Sequence, residues 1–360
     1  MTASPNLYPL QLQQPFSADK AFPMFVDLLS NPNCAFPYKS YYSPKPAELY
    51  KNLCNVNYVI NFPEDDKNNY TFQVSEMAYN GCDLIADLYT EDARLRSSIN
   101  GKLAPMQIWS AGLGRRASST AAKAVAFASK HTAEIARLKP EQLGAYILRE
   151  MLYEISSECT QFKPSLTKAI VTHLAGRAGV DVTRATVLDP CAGWGDRLIG
   201  CRAAGVANYI GVDPNPLLHP CYEKMVADLP SATQTQLQCL PFEDFVCGQP
   251  VDIVFTSPPF SNYEMYFTGG SESLQSNVRH APDVWAEQWL YPMVEKMWSC
   301  LRPGGVLALY LSDTRVAGGR NVCRGLVDHM AAAGMPLLAQ MDCQREGKRP
   351  LPLWTWRRPA

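Results

Sequence analysis

Hydrophobic and polar positions follow a regular order over the second half of the chain. After Phe162, short apolar runs alternate with longer segments in which apolar residues recur every three or four positions. Short apolar runs predict buried strands, and the longer repeat predicts amphipathic helices. The predicted strands cover residues 185–188, 209–212, 235–240, 251–255 and 306–311. The predicted helices cover residues 165–175, 197–204, 217–229, 284–300 and 320–333.

This alternation predicts an α/β fold with a mostly parallel, doubly wound sheet, because parallel strands are joined by helical crossovers. Residues 336–341 and 351–356 have no helix between them and predict a C-terminal antiparallel hairpin beside that sheet. Such a Rossmann-like sheet binds its ligands at the carboxyl ends of the strands. The turns that directly follow the strands are therefore the places where chemistry is expected.

The first part of the chain has a different pattern and predicts a mainly helical accessory region. Residues 1–45 are rich in Pro, Asn, Ser and Tyr and show no clear period, which predicts irregular structure. Apolar spacing predicts helices at about 76–99, 118–138 and 141–159. We divide the chain into an N-terminal accessory, substrate-binding region at 1–155 and the α/β domain at 156–360.

Composition excludes several classes of protein. The chain has 360 residues, of which 47% are hydrophobic and 19% charged, as is typical of a globular protein. Residues 1–20 do not have the pattern of a secretory signal, and the longest apolar stretch, 306–311, is too short to span a bilayer. We therefore expect an intracellular protein, in cytoplasm or nucleus, that does not bind membranes. The twelve cysteines form no Cys-x-x-Cys pair, and no metal site is predicted.

Charge is unevenly distributed although the net charge is only −1. Residues 1–100 carry 7 Lys and Arg against 11 Asp and Glu, whereas residues 101–150 carry 8 against 3. A basic stretch of that size is able to follow the phosphates of a nucleic acid. A solvated helix face explains the stretch equally well when it is taken alone.

A glycine turn follows the first predicted strand of the α/β domain. Gly193 and Gly195 lie where that strand turns into a helix, and glycine there lets the backbone approach a ligand closely. Asp213 ends the next strand, twenty residues after Gly193, which is the spacing of an acid that binds ribose hydroxyls. The third glycine of a dinucleotide fingerprint is replaced by Leu198. The turn therefore indicates a monomeric, positively charged nucleoside rather than a dinucleotide.

An acidic segment follows the third predicted strand. Residues 241–245 read Pro-Phe-Glu-Asp-Phe, and an acid at this place is able to accept the amine of an adenine. Phe242 or Phe245 would pack on the ring. An acid at a strand end is usually only solvated, so the value of this segment comes from its position after the other two.

Four segments together resemble the amino-methyltransferases that use S-adenosyl-L-methionine and methylate exocyclic nitrogens of adenine or cytosine. In chain order they are residues 189–195 (Asp-Pro-Cys-Ala-Gly-Trp-Gly), Asp213, residues 244–245 (Asp-Phe) and residues 257–260 (Ser-Pro-Pro-Phe). Residues 162–164 (Phe-Lys-Pro) are similar to another cofactor segment of that family. The resemblance covers about residues 160–360 and implies a Rossmann-like methyltransferase fold with S-adenosyl-L-methionine as cofactor. It implies a cofactor site formed by Phe162, Lys163, Pro164, Asp189, Ala192, Gly193, Gly195, Asp213, Glu243 and Asp244.

The resemblance implies that residues 257–260 are the catalytic turn. An exocyclic amine is a poor nucleophile because its lone pair is delocalised into the ring, and accepting both of its N–H groups counters this. Ser257 and the carbonyl of Pro258 suit that task. Pro259 makes the turn rigid, since proline has a fixed φ and no N–H group. Phe260 would stack on the base, and most of the catalysis would be positioning.

Aromatic residues follow the catalytic turn. Tyr263 and Tyr266 precede Gly269 and Gly270. They would form a lid over a flipped base and bind the substrate. Packing of these rings on the protein core explains the pattern equally well.

The substrate is left open by the sequence. Carbon-5 methylation of cytosine needs a catalytic cysteine, and Cys191 lies in the glycine turn instead. Ser257 favours cytosine over adenine without excluding either base, and DNA is expected before RNA, including a cap-adjacent adenosine. A protein glutamine methyltransferase usually begins this turn with Asn. A non-catalytic nucleic-acid-binding partner usually lacks the glycines or the proline pair that this chain keeps. Oligomeric state is not predicted.

Overall fold

The computed structural model describes residues 17–31, 34–56, 69–72, 81–99, 101–259, 263–266, 275, 279–281, 283–313, 321–345 and 348–360. The chain divides into two compact units, and neither is continuous in sequence. One, the sheet unit, combines Pro46–Thr90 with Thr160–Ala360. The other, the helical unit, combines Met1–Lys45 with Glu91–Cys159. The segment Pro46–Thr90, which the sequence division assigns to the accessory region, thus groups with the sheet.

The sheet unit contains one large sheet. In the described part of the chain it has eight strands in the order β1-β9-β10-β8-β6-β3-β4-β5. The strands are β1 Asn69–Phe72, β3 Thr186–Asp189, β4 Asn208–Val212, β5 Gln234–Gln238, β6 Val251–Thr256, β8 Leu301–Tyr310, β9 Leu337–Arg345 and β10 Lys348–Arg357; two short strands, β2 Ser98–Ile99 and β7 Glu264–Met265, lie elsewhere in the chain. Strands β5, β4, β3, β6 and β8 pair in parallel, and β10 is antiparallel to both of its neighbours. The predicted Rossmann-like sheet with a C-terminal antiparallel hairpin is confirmed.

Helices of this unit cover the sheet. They are α2 Pro46–Asn55, α7 Pro164–Arg177, α8 Asp196–Ala204, α9 His219–Asp228, α10 Tyr291–Ser299 and α11 Val322–Ala332, with a π-helix at Ala286–Leu290. Every residue of β3 is buried, as expected of a central parallel strand with both faces covered. One side of the sheet packs against a core that includes Trp285, Leu290 and Met297. The central strands are therefore rigidly held, and their carboxyl ends present the turns described below.

A lysine fixes the N-terminal segment of this unit to helix α7. The Lys168 ammonium lies 2.9, 2.7 and 2.8 Å from the carbonyl oxygens of Leu53, Cys54 and Val56. The first two carbonyls belong to the last turn of α2 and the third follows it directly, where the end of a helix carries partial negative charge. One cation thus satisfies the end of α2 and ties it to α7.

The helical unit contains a helix that the sequence did not predict. Its helices are α1 Ala18–Ser30, α4 Pro105–Lys130, α5 Thr132–Ile135 and α6 Pro140–Ile155, and α3 Asp87–Leu95 passes from one unit to the other. The prediction of irregular structure for residues 1–45 is wrong over α1. Ala21, Phe25, Leu28 and Leu29 lie three or four positions apart and are buried, which outweighs the polar composition around them.

Charged side chains are buried inside the helical unit. Arg149 is fully buried and pairs with Glu91 at 3.0 Å, and its guanidinium also donates to Glu158. Arg94 pairs with Glu158 at 2.5 Å. The two arginines and the two glutamates neutralise one another, which offsets part of the cost of removing their charges from water. No helix in the described ranges is both long enough and apolar enough to cross a bilayer.

Candidate active site

The glycine turn at residues 189–195 and the turn at residues 257–259, which we call the proline turn, leave the same edge of the sheet. Strands β3 and β6 are neighbours that pair in parallel, with Leu188 opposite Val254. The carboxyl ends of parallel strands face the same way, so the turn after Asp189 and the turn after Thr256 lie side by side. The end of β4, which carries Asp213, is adjacent on the other side of β3.

The two glycines of the first turn share a backbone conformation and differ in their surroundings. Both have positive φ, +59° for Gly193 and +90° for Gly195, a region that favours glycine. A Cβ on Gly195 would lie 2.7 Å from the sulfur of Met225, so the end of that flexible side chain on α9 would have to move. A Cβ on Gly193 would meet nothing closer than 3.7 Å. Gly193 is therefore packed less tightly than Gly195, and the neighbouring Ala192 is buried.

Asp213 is placed to accept hydrogen bonds from a ligand. Its two carboxylate oxygens accept the backbone N–H groups of Gly193, at 2.8 Å, and of Asn215, at 3.0 Å. Each oxygen keeps further acceptor capacity, because an ionised carboxylate has about four lone-pair sites. Burial raises the pKa of Asp213 to about 6, although the two backbone hydrogen bonds oppose that shift. An acid that is costly to ionise in the free protein gains from donors such as ribose hydroxyls.

Asn215 lies next to Asp213 and is a candidate site residue that the sequence analysis did not predict. Its side-chain oxygen accepts the N–H of Leu217 at 3.1 Å, which fixes the orientation of the amide. The amide nitrogen is buried and has no hydrogen-bond partner among the described residues. A buried donor without a partner is costly, and a ligand acceptor would remove that cost. The Asp-x-Asn spacing directly after a strand is the sequence signal that could have identified it.

Asp189 has a different environment from Asp213. It is fully buried, and its carboxylate accepts hydrogen bonds from Arg197 at 2.9 Å, Tyr209 at 2.9 Å and Thr256 at 2.8 Å. These three donors come from α8, β4 and β6. The contacts hold β3 to its neighbours, so Asp189 acts on the candidate site through the positions of those elements.

The predicted segment 162–164 lies at the start of α7. The ring of Phe162 packs edge-on against Phe255 and Tyr310, with centroids 5.6 and 4.9 Å apart, and Arg197 lies over it at 5.6 Å. Lys163 is exposed, and Pro164 is the buried first residue of the helix. Phe162 therefore contacts β6 and β8 next to the proline turn and the arginine that holds Asp189.

The acidic pair after β5 has two separate environments. Glu243 accepts the indole N–H of Trp289 at 2.7 Å, and its backbone carbonyl accepts from Lys296 at 2.6 Å. Trp289 belongs to the π-helix, which is often found at functional sites. Asp244 is exposed and lies on a cavity of about 560 Å³ beside β4 and β5. Glu243 thus fixes the segment, and Asp244 is the acid that a ligand can reach.

The proline turn gives Ser257 a defined hydrogen-bonding role. The Ser257 hydroxyl donates to the carbonyl oxygen of Tyr310 at 3.2 Å. A hydroxyl has one proton and two acceptor lone pairs, so this donation leaves its oxygen available as an acceptor. Pro258 is buried and Pro259 is partly exposed. Phe260, predicted to stack on the base, lies outside the described residues.

The two tyrosines after the turn have different neighbours. The ring of Tyr266 packs edge-on against Trp194 of the glycine turn, with centroids 5.9 Å apart. Its hydroxyl donates to Glu264, and its backbone N–H donates to Gln275 at 3.1 Å. Tyr263 is partly buried against the core below the sheet. The glycines at 269 and 270 lie outside the described residues.

Comparisons with known proteins concern the fold. No protein-family model and no curated protein sequence matches the chain. A Listeria monocytogenes protein assigned provisionally as a class I S-adenosylmethionine-dependent methyltransferase is similar over 77% of this chain and 89% of its own, with 13% identity and a TM-score of 0.42. Magnesium protoporphyrin IX methyltransferase from Synechocystis, with bound S-adenosylmethionine, is similar over 54% and 79%, with 11% identity and a TM-score of 0.39.

A third structure is the 1,6-didemethyltoxoflavin N1-methyltransferase of Burkholderia thailandensis with its substrate and S-adenosylhomocysteine. It is similar over 55% of this chain and 78% of its own, with 16% identity and a TM-score of 0.36. Similarities at this level do not identify the reaction. The proposed reaction is therefore argued from the residues of this chain alone.

Proposed function

We propose that this protein transfers a methyl group from S-adenosyl-L-methionine to an exocyclic amine of a nucleic-acid base. The observation that carries the proposal is the hydroxyl of Ser257, which donates its proton to Tyr310 and keeps its lone pairs for an incoming amine. That acceptor lies in a turn next to the glycine turn, at one edge of the sheet. An amine acceptor beside a nucleoside site is the arrangement that amine methylation requires.

The residues at the ends of β3, β4 and β5 fit the proposed cofactor. Asp213 would accept the ribose hydroxyls, and the buried amide nitrogen of Asn215 would donate to an acceptor of the nucleoside. Asp244 would accept the adenine amine, since it is exposed whereas Glu243 is held by Trp289. Gly193 has no Cβ and would let the cofactor approach the backbone closely. The bound cofactor supplies an electrophilic methyl group on a positively charged sulfur.

The proline turn would activate the substrate amine by accepting its two N–H groups. Ser257 accepts one, and the carbonyl of Pro258 accepts the other. Both interactions draw the nitrogen lone pair out of the aromatic ring, so the amine becomes a better nucleophile. No strong general base is needed, and rigid positioning by the buried Pro258 supplies most of the effect.

A nucleic acid is the proposed substrate, with DNA before RNA. The basic stretch at 101–150 supports this choice, and within it Lys123, Lys130 and Lys139 are exposed. Exposed cations bind phosphates by releasing counterions. A base in duplex DNA must leave the stack before its amine reaches the turn.

Incubation with methyl-labelled cofactor and either DNA or RNA, followed by digestion to nucleosides, tests the proposal. We expect label on N6 of adenine or N4 of cytosine. Label on a ring carbon would overturn amine methylation, and label only on protein would replace the nucleic acid by a side-chain amide. The same digest separates adenine from cytosine and DNA from RNA.

Replacing Ser257 by Ala tests the role of the turn. Loss of one acceptor should lower kcat by about 10- to 100-fold, the effect of one hydrogen bond to a nitrogen that becomes charged in the transition state. Affinity for S-adenosylhomocysteine should stay unchanged, since the glycine turn is untouched. Ser299→Ala is the matched control, because Ser299 is exposed and bonds only locally to Lys296 at 2.7 Å. Equal losses of kcat and cofactor affinity would contradict the assignment.

A further inference from the structure

Residues 81–90 contact the candidate cofactor site from within the sheet unit. Asp83 accepts the backbone N–H of Ser165 at 3.2 Å and its hydroxyl at 2.6 Å, and it pairs with Lys163 at 3.3 Å. Lys163 and Ser165 flank the start of α7, next to Phe162. A carboxylate at this place satisfies the free N–H groups of a helix N-terminus and holds that helix in position.

Thr90 makes the second contact, with the glycine turn itself. It is 1% exposed, and its hydroxyl oxygen lies 3.1 Å from the carbonyl oxygen of Trp194 and 2.9 Å from that of Ala86. The single hydroxyl proton is shared between these two acceptors. Ala86 also accepts the backbone N–H of Thr90 at 3.0 Å, so its carbonyl does not depend on the hydroxyl. The carbonyl of Trp194 is the one for which the side chain of Thr90 matters.

That carbonyl belongs to the peptide that closes the turn, because the N–H of Gly195 donates to the carbonyl of Ala192 at 3.4 Å. The carbonyl of Trp194 and the N–H of Gly195 belong to one planar peptide and point in opposite directions. Glycine restrains such a peptide little, because it lacks a Cβ. The preceding peptide is held in the same way, since the hydroxyl of Tyr222 donates to the carbonyl of Gly193. Two side chains from different helices thus hold two successive peptides of the glycine turn, in addition to the hydrogen bond within the turn.

We propose that Thr90 is a positioning residue of the cofactor site. Its hydroxyl holds the peptide between Trp194 and Gly195 in the orientation that binds the cofactor, and Asp83 holds the segment around Phe162 in the same way. The segment Pro46–Thr90 then belongs to the cofactor site by function as well as by packing. The inference rests on the proposed function, since it concerns the affinity for S-adenosyl-L-methionine.

Calorimetric titration of the full-length protein with S-adenosylhomocysteine tests the inference. Thr90→Val keeps the shape of the side chain and removes the hydroxyl, so its Kd should rise about fivefold, the effect of one ordinary hydrogen bond. Thr90→Ser restores the hydroxyl and should bind within about twofold of the wild type. With labelled S-adenosyl-L-methionine, the KM of the Val variant should rise while kcat at saturating cofactor stays unchanged. A residue that only supports the fold would not give this separation.

Thr172→Val is the matched control. Thr172 makes the same local bond within α7, from its hydroxyl to the carbonyl of Lys168 at 2.8 Å, without contacting the turn. This variant should bind as the wild type does. Thr90→Cys, with a much weaker donor of similar size, serves as a second variant if the Val variant does not fold, and it should also bind more weakly.

The possible failures can be told apart. No heat with the wild type overturns the proposed function and the positioning role with it. Binding by the wild type with equal Kd for the Val or Cys variant overturns the role of Thr90 alone. Weaker binding by the Ser variant, to the level of the Val variant, also overturns it, since the hydroxyl would then not be the cause.

Discussion

The ends of β3 and β4 each carry an aspartate, and the two acids have opposite surroundings. Asp189 is completely buried and accepts three side-chain donors, from Arg197, Tyr209 and Thr256. Asp213 is 8% exposed and accepts only backbone N–H groups, from Gly193 and Asn215. A motif comparison treats both as cofactor residues. Their partners indicate that the first stabilises the sheet, whereas the second keeps acceptor capacity for the proposed ligand.

The largest expected effect concerns Asp189. Asp189→Asn leaves Arg197 as a buried charge without its counter-ion, which should lower the free energy of unfolding by about 3–5 kcal/mol. Urea denaturation measures this loss. Asp252→Asn is the control, because the arginine in that pair, Arg302, is 34% exposed and water replaces part of the interaction. Similar losses for the two variants would show that burial of the Asp189 pair is not the reason.

Asp213→Asn should have the converse effect. The neutral amide keeps one acceptor and removes a charge-assisted hydrogen bond to the ribose, so affinity for S-adenosylhomocysteine should fall by on the order of 100-fold. The free energy of unfolding should change by less than about 1.5 kcal/mol, since loss of one backbone acceptor is offset by loss of a buried charge. A large loss of stability with unchanged affinity would show that Asp213 has a structural role like that of Asp189 and does not bind the cofactor.

Proton uptake by Asp213 gives a test that Asp189 does not offer. Burial raises its pKa to about 6, above the ordinary 3.8, so the free protein binds a proton there as the pH falls through 6. The Kd for S-adenosylhomocysteine should therefore rise about tenfold per pH unit below 6 and stay flat above 7. Because its pKa is higher in the folded protein than in the unfolded chain, Asp213 binds a proton more tightly in the folded state. The free energy of unfolding of the unliganded protein should therefore fall as the pH rises from about 4 to 6. The Asp213→Asn variant should show neither dependence.

The smallest expected effect comes from one donor to Asp189. Tyr209→Phe removes a single hydroxyl and leaves Arg197 and Thr256 in place, so the free energy of unfolding should fall by about 1 kcal/mol. Thermal denaturation detects a change of this size. A loss as large as that of Asp189→Asn would show that the three donors act as one unit, with coupling between them.

The order of strands and helices in the α/β part was predictable because each element has its own apolar period. Helix α1 was not, since its apolar residues are separated by polar ones and Pro23 lies inside it. Strand β8 begins at Leu301 rather than 306, because pairing with β6 continues across an irregularity around Arg302–Gly305 that reads as a stop signal.

The sequence identifies candidate residues of the site, whereas the different surroundings of those residues come only from the fold. The motif identifies both Asp189 and Asp213, but their different tasks depend on partners far away in sequence. Thr256 is 67 residues from Asp189, and Tyr209 is 20 residues away. The contribution of Thr90 depends on a contact across 104 residues. No local period or spacing encodes such pairings, which arise only when the elements pack.

The contacts of Lys168 affect how the N-terminal part of the chain folds while the chain is being synthesised. The carbonyl of Leu53 that it caps lies 115 residues earlier in the chain, and Thr90 precedes Trp194 by 104 residues. At about 5–20 residues per second, a ribosome needs roughly 5–20 s to produce residues between such partners. During that interval the apolar side chains of α2, among them Leu49 and Leu53, lack the helix α8 against which α2 packs in the folded protein. We expect this segment to be the stretch of nascent chain that most needs a chaperone.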